Sequence, residues 1–219
     1  MDTIEVDGLT KEYGEVRAND GLSFSVEAGE VFGYLGPNGA GKTTFFNLLT
    51  GALEPTEGRI EFKGKDVTES SPQETASLGI HRSFQITNIF PTTTVLENVR
   101  IAAQAKSSKS LHLWRNFSAY DEFQEEAYQI LERVGLDDRA EEFAQSLSHG
   151  EKRKLEVGIA LAGDPDVLLL DEPNAGVSSE SVGEIIDLIE DVSRDHAVLL
   201  VEHNMDVVMT VSDRIVVLN

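Results

Sequence analysis

The chain has 219 residues with a formal net charge of −21, and it contains no cysteine. This length is enough to bury a core, and the lack of cysteine excludes disulfides, thiol catalysis and thiolate-bound metals. The 39 acidic residues against 18 basic ones would repel nucleic-acid phosphates over most of the surface, so we expect no nucleic-acid partner.

The N-terminal third has short β-strand patterns separated by glycine turns. Strands are predicted at residues 4–9, 22–26, 31–35 and 59–62. From Thr94 to about Gly163, apolar residues recur at spacings of three and four, which predicts an inserted helical subdomain. Within this region the polar stretch 107–118 indicates a surface loop.

The last third alternates apolar strand patterns with a helical pattern. Residues 167–170 and 197–201 are fully apolar, as buried parallel strands are, and a helix is predicted over 181–192. The expected fold is α/β: a mostly parallel sheet flanked by helices, with an N-terminal antiparallel β-subdomain. We assign 1–84 and 164–219 to this core and 85–163 to the helical subdomain, all within one domain.

A glycine-rich loop lies between the strand 31–35 and a helix predicted over 42–49, and it matches the phosphate-loop pattern GxxxxGK[ST]. The matching residues are Gly36, Pro37, Asn38, Gly39, Ala40, Gly41, Lys42, Thr43 and Thr44. Backbone amides and the helix N-terminus would hold phosphates, Lys42 would reach the β- and γ-phosphates, and the Thr43 hydroxyl would bind Mg²⁺. ATP and Mg²⁺ are the expected cofactors, in a core of the P-loop NTPase type.

Two carboxylates follow the apolar strand 167–170. Asp171 would hold hydrated Mg²⁺, and Glu172 would orient the attacking water and accept its proton. Together with the phosphate loop, this pair predicts ATP hydrolysis.

Leu147, Ser148, His149, Gly150 and Glu151 precede a predicted helix, with Ser148 in the pattern of an N-cap. At this point the chain resembles the ATP-binding cassette (ABC) family, whose signature is usually LSGGQ. The resemblance implies a head-to-tail dimer in which Ser148, Gly150 and Glu151 face the partner's nucleotide. His149 replaces the usual first glycine.

The resemblance implies three more site residues. Gln85 would contact Mg²⁺ and the attacking water, His203 would hydrogen-bond the γ-phosphate, and Tyr13 would stack on adenine. A tyrosine in a hairpin also commonly just packs. Ser178 departs from the Asp or Asn usual at its position. Relatives generally continue beyond position 219, which leaves open a naturally short member or an incomplete sequence.

Within the family, the motifs look most like the ATPase subunit of branched-chain amino-acid importers. They include the segments 82–85, 171–176 and 202–205. The implied partners are a second ATPase subunit, the same or different, transmembrane permease subunits and, indirectly, a substrate-binding protein. Two alternatives stay open: a urea or short-chain amide importer, and a soluble non-transport ATPase of the iron-sulfur assembly type.

Large apolar residues surround Gln85, namely Phe84, Ile86, Ile89 and Phe90. They predict either ordinary core or a groove that receives a short helix from the membrane subunit.

The sequence lacks a signal-peptide pattern and an apolar run of about 18 residues, so we expect a cytoplasmic subunit, peripheral on the inner face of the membrane. The acidic excess also suits a halophilic protein in molar salt, and an ordinary acidic cytosolic protein is the alternative.

Overall fold

The structure, a computed structural model, describes residues 2–83, 89–106 and 117–218. The strands in chain order are β1 (Asp2–Tyr13), β2 (Val16–Glu27), β3 (Val31–Leu35), β4 (Glu57–Phe62), β5 (Lys65–Asp66), β6 (Ile80–Ser83), β7 (Val167–Asp171), β8 (Ala197–Glu202) and β9 (Arg214–Val217). The α-helices are α1 (Lys42–Leu49), α2 (Pro72–Leu78), α3 (Val95–Lys106), α4 (Phe117–Arg133), α5 (His149–Leu161), α6 (Ser179–Ser193) and α7 (Met205–Val211). Short 3₁₀ segments lie at Asp137–Arg139 and Ala144–Ser146.

The chain divides into two compact units. The first comprises Met1–Arg82, Asp166–Glu172 and Ile189–Asn219, and the second comprises Ser83–Pro165 and Pro173–Leu188. Residues 173–188, which the sequence assigned to the catalytic core, therefore group with the helical unit. The reason is their contact with α5: Arg153 Nε donates to the Pro173 carbonyl at 3.2 Å, and Lys154 pairs with Glu184 at 2.5 Å.

The first unit contains two sheets. The antiparallel sheet has the order β2-β1-β4-β5, and the second sheet has the order β6-β7-β8-β3-β9. In the second sheet the pairs β7–β8, β8–β3 and β3–β9 are parallel. The central strands β3, β7 and β8 are buried along their whole length, which explains their continuous apolar sequences.

An apolar core joins these two sheets and α1. Its residues come mainly from α1 and from the strands β1, β2, β3, β4, β6, β7 and β8, and it includes several aromatic rings. The Phe24 and Phe32 rings stack with centroids 4.6 Å apart, and the Tyr34 and Phe45 rings lie 4.5 Å apart. The core thus fixes the end of β3 and the start of α1, between which the glycine-rich loop lies.

The second unit is helical, and α3, α4 and α5 pack on one another. Val95 and Val99 on α3 and Leu131 and Val134 on α4 are buried, as their spacing predicts. An antiparallel bridge between Thr94 and Phe143 ties the start of α3 to the segment before α5. The predicted α/β fold with an antiparallel β-subdomain and a helical insert is confirmed.

Two local differences concern element boundaries. Of the predicted loop 107–118, residues 107–116 lie outside the described residues, and residues 117 and 118 belong to α4. The strands β1 and β2 run for 12 residues each, beyond the predicted apolar stretches, because polar residues extend the hairpin past the core. In the described ranges, no helix is both long and apolar enough to cross a membrane.

Candidate functional site

The glycine-rich loop leaves the carboxyl end of β3 and runs directly into α1. Gly41 is the N-cap of α1 with φ 88°, a left-handed conformation that favours glycine. A Cβ at this position would lie 2.0 Å from the Ala18 carbonyl oxygen, so a side chain cannot be accommodated without displacing β2. The Asn19 side-chain amide donates to the Gly41 carbonyl at 3.3 Å and holds the loop against the same strand.

Lys42 places its ammonium inside this loop. The Nζ donates to the carbonyl oxygens of Gly36 at 2.6 Å and Pro37 at 3.1 Å, and the residue is only 7% exposed. Carbonyl groups carry no net charge, so these contacts leave the positive charge of Lys42 uncompensated. The buried cation therefore makes the loop attractive to an anion.

The N-terminus of α1 adds to this attraction. No side chain caps the helix, and its first turn contains no acidic residue. The backbone N–H groups of that turn thus stay available for an anion, and the helix dipole points its positive end the same way. Thr43 is exposed and Thr44 is half-buried in this turn.

Asp171 ends β7 and is 2% exposed. Its Oδ2 accepts a hydrogen bond of 2.5 Å from Arg82 Nη2. Arg82 lies on β6, the neighbouring strand, and its Nη1 donates to Asn47 Oδ1 on α1 at 2.7 Å. This buried ion pair was not predicted from the sequence, because the partners are 89 positions apart.

Glu172 follows directly and has an unusual backbone. Its φ is 47°, in the left-handed region that a residue with a side chain rarely adopts. The Glu172 N–H donates to the Val201 carbonyl on β8 at 2.8 Å, which holds the residue at the sheet edge. Lys63 and Asp164 have a similar φ, but backbone strain of this kind clusters at active sites, and Glu172 directly follows Asp171.

His203 lies beside this carboxylate. Its Nδ1 is 3.6 Å from Glu172 Oε1 and 3.8 Å from Glu202 Oε2, and its side chain is 59% exposed. Glu202 belongs to a segment that resembles the family, but no sequence motif predicts a role for it. This residue is 1% exposed and accepts the N–H groups of His203 and Asn204, so it shapes the turn that carries the histidine.

The parallel register brings these groups to one sheet edge. Leu35 at the end of β3 pairs with Glu202 of β8, and Asp171 at the end of β7 pairs with Val201. The glycine-rich loop follows β3, His203 follows β8 and Glu172 follows β7. All three therefore lie at the same edge of three adjacent parallel strands. Tyr13, also in the first unit, ends β1 with 49% exposure, and Lys11 Nζ lies 5.6 Å from its ring centroid.

The side chains at this sheet edge supply only some of the oxygen ligands that a hard cation such as Mg²⁺ needs. Within the described ranges, no group of three or more His, Cys, Asp or Glu side chains could hold a metal ion. The Thr43 hydroxyl and the Asp171 carboxylate are oxygen ligands of the kind Mg²⁺ takes when a substrate phosphate supplies further oxygens. Gln85 and its neighbours 84–88 lie outside the described residues.

The predicted N-cap at Ser148 is confirmed in the second unit. Ser148 Oγ accepts from the Glu151 N–H at 3.3 Å, and Glu151 Oε2 accepts from the Ser148 N–H at 2.8 Å, which forms a capping box. These hydrogen bonds lower the pKa of the Glu151 carboxyl. Gly150 is half-buried and His149 is exposed at the same helix start.

The loop after Glu172 also belongs to the second unit. Ser178 is exposed, and its hydroxyl lies 3.2 Å from that of Ser181 on α6. Of the apolar residues near Gln85, Ile89 is half-buried and Phe90 is 52% exposed.

Comparison with known proteins gives a consistent picture. Residues 19–175 match a family described as ABC transporter. The chain is 37% identical to the branched-chain amino acid transport ATP-binding protein BraF of Pseudomonas aeruginosa, covering 99% of this chain and 88% of that protein. It is 36% identical to the corresponding protein LivG of Escherichia coli (strain K12), with the same coverage.

A solved structure is similar along the whole chain. It is a nucleotide-free ATP-binding cassette from an ABC transporter, with a TM-score of 0.87 and 33% identity over 100% of this chain and 88% of that one.

Proposed function

The chain belongs to the ABC transporter family, and from this premise we propose that it is the ATP-hydrolysing subunit of a branched-chain amino-acid importer. One observation carries the proposal: the strand order β7-β8-β3 gathers a buried lysine in a glycine-rich loop, a histidine and two carboxylates at one sheet edge. Binding phosphate and activating water both need groups from this set.

The phosphate loop binds the nucleotide. The amides at the start of α1 and the Lys42 ammonium hold the β- and γ-phosphates, and Lys42 exchanges its carbonyl partners for phosphate oxygens. Tyr13 offers an exposed ring for the adenine. Thr43 and Asp171, together with Gln85, would hold Mg²⁺, which when bound neutralises charge on the phosphates.

Glu172 and His203 act on the water and the γ-phosphate. The Glu172 carboxylate orients a water molecule and takes its proton as that water attacks phosphorus in line with the departing ADP. His203, whose Nδ1 lies 3.6 Å from Glu172 Oε1, hydrogen-bonds the γ-phosphate beside the same water in this proposal. The two groups therefore serve one reacting centre.

The second unit contributes to a different nucleotide. Ser148, Gly150 and Glu151 stand at the start of α5, and in a head-to-tail dimer this helix end faces the partner's γ-phosphate. The Ser148 oxygen accepts within the cap, while its hydroxyl proton remains able to donate to a phosphate. The partner is a second ATPase subunit, identical or related, and the dimer works with permease subunits and a substrate-binding protein at the membrane.

Replacing the general base tests the hydrolysis mechanism. Glu172→Gln keeps the size of the side chain but cannot take a proton, so we expect ATP binding to persist and turnover to fall by about 10² or more. Glu190→Gln, an exposed carboxylate on α6, is the control and should hydrolyse ATP like the parent. Near-parental hydrolysis by Glu172→Gln would remove Glu172 from this role.

Uptake measurements test the transported substrate. Deleting the gene is expected to abolish uptake of labelled leucine and to leave urea uptake unchanged. The opposite pattern would assign the subunit to the urea or amide importer. Copurification from native membranes then identifies the permease subunits, and their absence would favour a soluble ATPase.

A further inference from the structure

The contact that distinguishes this site is the ion pair between Arg82 and Asp171. Both side chains are almost fully buried, with exposures of 9% and 3%, and the nitrogen and oxygen are 2.5 Å apart. A buried carboxylate is costly unless a positive charge balances it. In the structure, the guanidinium of Arg82 supplies that charge.

Arg82 is fixed in this position by further contacts. Its second terminal nitrogen donates to Asn47 on α1 at 2.7 Å, and its guanidinium carbon lies 5.4 Å from the centroid of the Phe46 ring. These contacts are to the helix that begins at the phosphate loop. The positive charge is therefore held between the metal-binding carboxylate and that helix.

A fixed guanidinium has a direct electrostatic consequence for metal binding. A divalent cation that approaches Asp171 alone meets a positive charge at short range in a poorly hydrated site, where repulsion is strong. The described residues also offer no group of three or more acidic or imidazole side chains that could overcome it. ATP phosphates would supply the missing negative charge.

We propose that Arg82 is a positioning residue that acts as a resident counter-cation for Asp171, balancing this carboxylate before nucleotide binds and making Mg²⁺ binding depend on nucleotide. The inference rests on the Mg²⁺ role of Asp171 given under the proposed function. In this proposal Arg82 acts through Asp171 and not on the substrate itself.

Thermal melting tests the role of Arg82 as a counter-cation. Melting temperatures are measured without nucleotide, at constant ionic strength, with and without millimolar MgCl₂. Arg82→Met removes the buried ion-pair partner of the Asp171 carboxylate, so its melting temperature is expected to fall by roughly 10 °C. Magnesium alone should then recover most of the loss, because the metal replaces the missing cation. The parent protein should melt at the same temperature with and without magnesium.

Two further variants separate charge from packing. Arg82→Lys keeps a positive charge and should behave like the parent, with little response to magnesium. The double variant Arg82→Met with Asp171→Asn also removes the charge that Arg82 balances, and it should regain stability while losing the magnesium response. If Arg82→Met does not fold without magnesium, the refolding yield with and without MgCl₂ is measured instead of the melting temperature. A double variant that is equally unfolded would overturn the proposal.

Arg100 provides a matched control. It is 12% exposed and pairs with Glu97 at 2.7 Å, both residues lying on α3 of the second unit. Arg100→Met should lose stability without any recovery by magnesium. The proposal is overturned if magnesium raises the melting temperature of Arg100→Met or of the parent as much as that of Arg82→Met. It is also overturned if magnesium does not raise the melting temperature of Arg82→Met.

Addition of ATP distinguishes this inference from the function beneath it. The parent is expected to be stabilised by ATP with magnesium, since a ligand that binds only the folded state raises its melting temperature. If this stabilisation is absent, the proposed function fails. If it is present while Arg82→Met ignores magnesium alone, only the role of Arg82 fails.

Discussion

Two glycines of the phosphate loop share one backbone conformation but have different surroundings. Gly39 and Gly41 both have φ 88°, yet a Cβ on Gly39 would meet nothing within 4 Å, whereas one on Gly41 would meet the Ala18 carbonyl at 2.0 Å. The pair therefore separates the cost of a left-handed residue from the cost of a steric clash.

We expect Gly39→Ala to destabilise the protein by about 1–2 kcal/mol, the cost of a left-handed alanine. Gly41→Ala should cost roughly 1–3 kcal/mol more, because β2 must shift to make room. It should also weaken ATP binding, since the shift moves the start of α1. Urea unfolding and ATP titration measure both effects, and equal costs for the two variants would contradict the clash.

At the residue scale, the sequence predicted those site residues that belong to a continuous motif or whose partners are close in the chain. The loop 36–44 and the pair Asp171 and Glu172 are of this kind. Arg82 lies in one of the segments that resemble the family, but no local pattern indicates its partner 89 positions away. The roles of the site residues stay predictions, and Gln85 lies outside the described residues.

Two helices of the protein begin with the same capping box. Ser71 caps α2 with Glu74, and Ser148 caps α5 with Glu151. The local hydrogen bonds match, but only Ser148 belongs to the signature sequence. This allows the stabilising function of a cap to be measured apart from a role in catalysis.

Ser71→Ala and Ser148→Ala should each lower stability by about 1 kcal/mol. Only Ser148→Ala should also slow ATP hydrolysis, by roughly tenfold, because it removes a donor to a charged phosphate. Chemical unfolding and steady-state ATPase assays provide the two measurements. If both variants hydrolyse ATP equally well, Ser148 is a structural cap alone.

Element prediction succeeded where burial imposes a period. The fully apolar runs of β7 and β8 identified buried strands, and the spacing of Val95 and Val99 identified α3. The short helix α2 was missed because its seven residues contain only one buried side chain, Thr75, and so carry no apolar stripe. Its capping box was the available signal.

At the scale of the whole molecule, the surface around Phe90 is a candidate contact with the membrane subunit. Phe90 is 52% exposed, and its backbone N–H and carbonyl both hydrogen-bond the side chain of Asn98, which is 2% exposed. The buried amide fixes this backbone, so the ring is presented outward rather than packed in the core. Of the two interpretations of the apolar residues around Gln85, core or docking groove, the exposure of Phe90 favours the docking groove for this residue.

We expect Phe90→Glu to leave ATP binding by the isolated subunit intact and to abolish copurification with the membrane subunits, because a charge would replace the apolar contact. Met209→Glu on α7 is the control, since Met209 is also apolar and 65% exposed. Full recovery of the complex with Phe90→Glu would exclude this surface. Binding of ATP shows that the variant is folded.

The net charge of −21 leads to a prediction for the entire chain. Self-repulsion destabilises the compact state at low ionic strength, so the melting temperature should rise steeply as KCl is added. Sucrose, which carries no charge, serves as the comparison. A flat response between about 0.1 and 2 M KCl would indicate an ordinary acidic protein instead of a halophilic one.

The left-handed backbone of Glu172 limits how this protein can be improved in the laboratory. Glycine or asparagine would occupy that conformation with less strain, so a library screened only for heat resistance would tend to enrich them at position 172. From the proposed role of Glu172 as the general base, we expect such clones to survive heating and to lose ATP turnover. Laboratory evolution of a tougher subunit must therefore select for growth on the transported nutrient, which keeps the strained glutamate in place.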